Sequence, residues 1–177
     1  RTAMPDFLRV TSGSLADTQP VFDAIASSCL TLFQGSRVLL ALVRSDRIEP
    51  VAVIDAAHGD TQKNPPKYYD HFPLDHNTAA GACILDARVI HIPDMAKAVE
   101  EFPRVMDFSI RHGLLSGLYV PLIRGGQAMG MIAVRRAVTG AFTDKEIALL
   151  NTFADQAVIA IENVRLFNEI QDKSRQL

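Results

Sequence analysis

The chain has 177 residues, a formal net charge of −2 and a pI near 6.2, with 48% hydrophobic and 21% charged residues. That is enough for one domain with a full core, and the near-neutral balance excludes the strongly basic face of a nucleic-acid binder. No apolar run is long enough to span a membrane, and the start lacks the basic head and apolar stretch of a signal peptide, so a cytoplasmic chain is expected.

The chain begins at Arg1 rather than Met, as expected of a piece cut from a longer protein or of a processed one. Residues 1–16 are weakly patterned and read as a linker. A helix is predicted from Asp17 or Thr18 as N-cap to Leu32. Val21, Ile25, Cys29 and Leu32 recur there at helical spacing, and Gly35 lies just past the end. The run "VLLALVRSD" (38–46) is short and almost wholly apolar, which predicts a central strand buried on both faces. Ser45-Asp46 gives a turn, and "RIEPVAVIDA" (47–56) a second strand. Pro50 has no N–H for a ladder, so this strand is placed at an edge or a bulge.

Residues 55–75 are polar and rich in Pro, Gly and Asp, and read as a long loop, either a binding loop or a disordered one. A short helix is predicted over 76–87, a strand over 88–92, and a helix over 99–113 with Pro103 in its first turn and Gly113 at its end. Two apolar runs, "SGLYVPLI" and "AMGMIAV", flank "RGGQ", where Gly125 and Gly126 suit a two-residue hairpin turn. The last segment opens with a capping box, Thr143 with Glu146, and a staple of Phe142 with Ile147. It then runs to the C-terminus without Gly or Pro. Ile147, Leu150, Ala154, Ala157, Ile161 and Val164 recur in steps of three and four, with Phe153, Ala160 and Phe167 as a second stripe. About thirty residues make a helix of roughly 45 Å, longer than a small domain needs. Its outer part is expected to project and to pair with the same helix of a second copy, with a helix lying wholly on its own sheet as the alternative. The order predicts an α+β domain, an antiparallel sheet with helices on its faces.

Three segments carry a resemblance: "GACILDARVIHIPDM", "GLYVPLIRGGQAMGMIAV" and "FTDKEIALLNTFADQAVIAIENVRLF". In this order and spacing the chain resembles the GAF domain family, regulatory small-molecule-binding modules of signalling proteins, over residues 17–170. Residues 171–177 then end a C-terminal linker helix. The resemblance implies a central antiparallel sheet, terminal helices together on one face, and a ligand pocket on the other under residues 57–115. It also implies an output domain in the same polypeptide. "GSLADTQPVFDAI" (13–25) is most similar to bacterial sensor histidine kinases and cyclases.

Ligand identity stays open. Where cyclic-nucleotide-binding relatives carry an Asn-Lys pair after the hairpin, this chain has Arg135-Arg136. That pair either favours an anionic ligand or ends a strand in solvent. Cys83 is followed by Ile84, not the histidine common in pigment-attaching relatives. His58, His71, His76, His91 and His112 show no metal-ligand spacing. His91 is the nearest haem candidate, with an ordinary satisfied histidine as the alternative. Asp94 either caps the turn from Met95 or faces the pocket from its rim. The ligand-binding candidates are Phe72, Gly81, Asp94, Phe108 and Tyr119. Phe72 or Phe108 would stack on a planar ligand, Gly81 would let backbone amides approach it, Asp94 would accept a hydrogen bond, and Tyr119 would close the side. Tyr68, Tyr69 and Phe102 complete an aromatic roof, or are plain core under the loop.

Three functions compete. The first is a non-catalytic sensor that relays ligand binding through a helical homodimer to an output domain such as a histidine kinase. The second is a dimerisation spacer with an empty pocket. The third is a thiol-based reductase of free methionine sulfoxide, one branch of the family. It would need an accessible thiol and a resolving partner, whereas Cys29 and Cys83 both read as buried free thiols.

Overall fold

The computed structural model describes residues 18–35, 37–56, 59–60, 69 and 72–176, without the side chains of 59, 60 and 176. The expected linker 1–16, Tyr68, His58 and His71 lie outside the described residues.

Helix α1 (Gln19–Leu32) leads into β1 (Arg37–Arg44), β2 (Arg47–Asp55) and the two-residue β3 (Gly59–Asp60). Then come α2 (Ala79–Leu85), β4 (Ile90–Ile92), a 3-10 turn (Met95–Ala98), α3 (Val105–Phe108) and a second 3-10 turn (Ile110–His112). The hairpin β5 (Ser116–Arg124) and β6 (Gln127–Arg136) and the long α4 (Asp144–Gln176) complete the chain. All neighbours in the sheet are antiparallel, in the order β3-β2-β1-β6-β5-β4.

Alternation along the strands divides the core in two. Val38, Leu40, Leu42, Leu118, Val120, Leu122, Ile132 and Val134 face α1 and α4. Leu39, Ala41, Tyr119, Met131 and Ala133 face the opposite way, towards α2, α3 and the loops. Strand β1 is therefore central and buried on both faces, as its apolar run predicts. Pro50 falls beside a register shift, where Val51 is left without a partner on β1. Gly125 and Gly126 both take positive φ, 59° and 80°, in the two-residue turn that joins β5 to β6.

Helix α1 ends in a Schellman motif whose left-handed residue is Gln34 (φ 51°), with the Gly35 amide closing on Leu30 O at 3.1 Å. The same device ends α2 at Ala87 (φ 49°) and spends the Arg88 amide on Cys83 O, so β4 starts later than the predicted residue 88. The helix predicted over 99–113 is replaced by α3 and two flanking turns. Pro103 stands before α3, and Ser109 (φ −133°, ψ −64°) breaks helical geometry after one turn. That break turns the Ser109 hydroxyl towards Arg135, 3.4 Å away.

Helix α4 starts as its sequence dictates. The Thr143 amide donates to Glu146 Oε1 at 2.8 Å, and the Glu146 amide to Thr143 Oγ1 at 3.1 Å. Its 33 residues extend about 50 Å. Burial stops at Val164; beyond it Leu166 and Ile170 are 46% and 65% exposed. Among the described residues no helix is long and apolar enough to cross a membrane.

Candidate functional site

Three rings from two segments meet on the face away from the terminal helices. Phe72 comes from the segment held beside β2, where the Ile48 amide donates to Phe72 O at 3.0 Å. It stacks on Phe108 of α3, ring centroids 4.9 Å apart and planes 25° apart. Tyr69 joins both, 6.0 Å from Phe108 and 5.4 Å from Phe72. Tyr119 of β5 stands at the side of the same cavity, and Leu39, Ala79 and Val105 supply apolar wall.

Arg135 also lines this cavity and is 2% exposed. Its Nη2 donates to Tyr69 Oη at 2.5 Å, and its Nη1 to Phe108 O at 2.8 Å. Its buried Nε has no acceptor among the described residues. No described carboxylate forms an ion pair with it. Asp55, which acts on its charge from farther off, is itself engaged by Arg37 at 2.8 Å. Arginine keeps its charge in proteins, so among the described residues this cavity holds a buried cation whose hydrogen-bond acceptors are neutral. Burial pushes the Tyr119 phenol above its usual value, only partly offset by Arg135 and a hydrogen bond with Ser109. Tyr119 therefore stays neutral. The cavity measures ≈20 Å³ as it stands, room for about one water.

Of the five predicted binding residues, Phe72, Phe108 and Tyr119 are brought together here. Gly81 and Asp94 are not. The Gly81 amide is taken by Thr78 Oγ1 at 2.9 Å, and a Cβ at this position would stand 1.8 Å from Asp75 O. The glycine serves that close approach and has no amide left for a ligand. Asp94 caps the turn that follows it, accepting from the Ala96 amide at 3.1 Å. It also borders a separate open groove of ≈450 Å³, shared with Arg88, His91, Lys97 and Glu101.

The arginine pair does not end its strand in solvent. Arg136, on the opposite face from Arg135, donates to Phe33 O at the end of α1 (2.6 Å) and to Glu146 in the first turn of α4 (2.6 Å). Its guanidinium also lies 4.0 Å from the Phe142 ring centroid. The signal that marks Arg135 as a cavity residue is strand parity: it falls in step with Met131 and Ala133, which face the same side. His91 points away from the cavity, and its Nε2 accepts from the Phe142 amide at 2.9 Å. Among the described residues no group of three or more His, Cys, Asp or Glu is placed to hold a metal. The two thiols lie in different halves of the core, and burial pushes Cys29 up strongly and Cys83 to about 12.

Solved structures with this fold include a domain of a methyl-accepting chemotaxis protein (23% identity, TM-score 0.73, 90% of this chain and 97% of that one). A domain of a putative two-component sensor histidine kinase from Sinorhizobium meliloti is similar at 17% identity and TM-score 0.67, covering 90% and 97%. A free methionine-R-sulfoxide reductase from Thermoplasma acidophilum is similar at 14% identity and TM-score 0.61, covering 84% and 97%. No curated protein matches the chain. The GAF domain family description matches residues 17–161. With that match over most of its length, the chain belongs to the GAF domain family.

Proposed function

We propose that this domain is a non-catalytic sensor: it binds a small molecule in the aromatic cavity and relays occupancy to an output segment of the same polypeptide, such as a histidine kinase. The observation that carries this reading is the adjacent pair on β6. Arg135 reaches into the cavity, and its neighbour Arg136 ties the end of α1 to the start of α4. A ligand that moves the end of β6 changes both helix contacts at once. Coupling then follows if the ligand prefers one helix arrangement over another. The exposed Leu166 and Ile170 support pairing of α4 with a second copy as the output route.

A spacer without ligand is the second reading, favoured by the small volume of the cavity. Sulfoxide reduction has against it the separation of Cys29 and Cys83 into opposite halves of the core, both with raised thiol pKa. Native mass spectrometry of the purified chain tests these readings. A dimer carrying an added small mass supports the sensor. A clean dimer whose amide exchange in α4 ignores every added small molecule supports the spacer, and turnover of free methionine sulfoxide would overturn both.

A further inference from the structure

We propose that the cavity takes a small carboxylate with a flat apolar body, its acid group on the Nε–Nη2 edge of Arg135, and that the Tyr69 hydroxyl holds the acid's place. The proposal rests on the sensor reading above and names the ligand class for its site. Arg37 shows that this edge of an arginine takes a carboxylate here: its Nε and Nη2 both donate to one oxygen, Asp55 Oδ2, at 3.0 and 2.8 Å. The same edge of Arg135 meets only the Tyr69 hydroxyl on Nη2, and nothing among the described residues on Nε. Removing a guanidinium from water is costly unless an opposite charge and good hydrogen bonds compensate. Neutral oxygens supply the bonds without the charge. A carboxylate supplies both, because its two oxygens match the planar fork. The rest of the ligand would face Leu39, Ala79, Val105 and the Phe72–Phe108 stack, which reward a flat apolar body. The present ≈20 Å³ is too small for a ring, so binding requires the Tyr69 and Phe72 side chains to move outward.

The test follows the arginine Nε–H signals by 15N-resolved NMR. The intact chain is titrated with benzoate and phenylacetate, and in parallel with benzamide and phenylacetamide. The acids are expected to shift the Arg135 Nε–H saturably and to bind about tenfold or more tightly than the amides. Tyr69→Phe keeps the ring and removes the competing hydroxyl, so acid affinity should rise by about threefold or more. Arg135→Met should erase the preference for acids. If that variant does not fold, Tyr69→Phe carries the test. Amides that bind as well as acids, or a Tyr69→Phe variant with unchanged acid affinity, overturn the carboxylate and leave the sensor standing. No binding by either series overturns the carboxylate and favours the spacer.

Discussion

The helix-covered face and the cavity face of this sheet use alternate residues of the same strands, and they differ in what they bury. Under α1 and α4 the core is mostly apolar: Ile25, Phe33, Leu118 and Phe153 are fully buried, and Ser116, buried in step with Leu118, donates its hydroxyl to Val138 O at 2.7 Å. On the other face the strands and loops also bury Arg37, Thr78, Ser109 and Arg135. The first face holds the domain together through close packing. The second carries polar groups that cost stability unless something rewards them. That asymmetry sets a cavity face that buries charge and hydroxyl groups against a close-packed face.

The largest expected effect tests the packed face. Phe153 is fully buried and meets Phe33 edge-on at 6.5 Å. Phe153→Ala should cost about 3–5 kcal/mol, lowering Tm by roughly 10 °C in a domain of this size. A loss below about 1 kcal/mol in chemical denaturation would break the contrast between the faces. Arg135→Met sharpens it from the other side. Replacing a buried charge by an apolar chain of similar length is often nearly neutral, although Phe108 O and Tyr69 Oη lose a donor here. The change should stay within about 2 kcal/mol either way. A loss as large as that of Phe153→Ala would make Arg135 a structural residue.

Much of this contrast is legible in the sequence. The unbroken apolar run of β1 announces a strand covered on both faces, and Thr143-x-x-Glu146 fixes the start of α4. Three of the cavity aromatics, Phe72, Phe108 and Tyr119, are legible because large rings on or over the second face of an amphipathic sheet have few places to go. What is not legible depends on contacts distant in sequence. The break at Ser109 is tied to Arg135, 26 residues on. Gly81 reads as an open approach for a ligand, yet the backbone of Asp75 fills that space. Arginines at the end of a strand usually reach water, and only parity with Met131 and Ala133 signals that Arg135 turns inward.

Two smaller effects probe the junction where Arg136 ties β6 to the end of α1 and the start of α4. Thr143→Ala removes the hydroxyl that accepts from the Glu146 amide and should cost about 1 kcal/mol. Glu146→Gln keeps a capping side chain but removes its charge. Burial raises the Glu146 pKa, but hydrogen bonds from Thr143 and Arg136 and the Arg136 charge outweigh it, leaving the value below the usual 4.5. A depressed folded pKa gives stability that is present above pH 4.5 and fades as pH falls through the folded value. The Tm of the parent chain should therefore exceed that of Glu146→Gln at pH 7 and converge on it in acid. A gap that stays constant down to pH 3 would remove the ion pair from the account.

The smallest expected effect lies where neither face reaches. Beyond Val164, α4 covers no sheet, and Leu166 and Ile170 are 46% and 65% exposed. Within a single copy, Leu166→Asp with Ile170→Asp removes no buried contact, so stability measured at low concentration should change by no more than about 0.5 kcal/mol per site. At high concentration the two outcomes separate. If α4 pairs with a second copy, apolar residues spaced four apart form part of the seam, and charges there should drive the chain to monomer in sedimentation. Tm should then become less dependent on concentration. If sedimentation is the same for both chains, the exposed stripe is not the dimer seam. On the sensor proposal, a change at β6 and Arg136 would then have to leave the domain along a single helix, whose register against α1 becomes the quantity to measure.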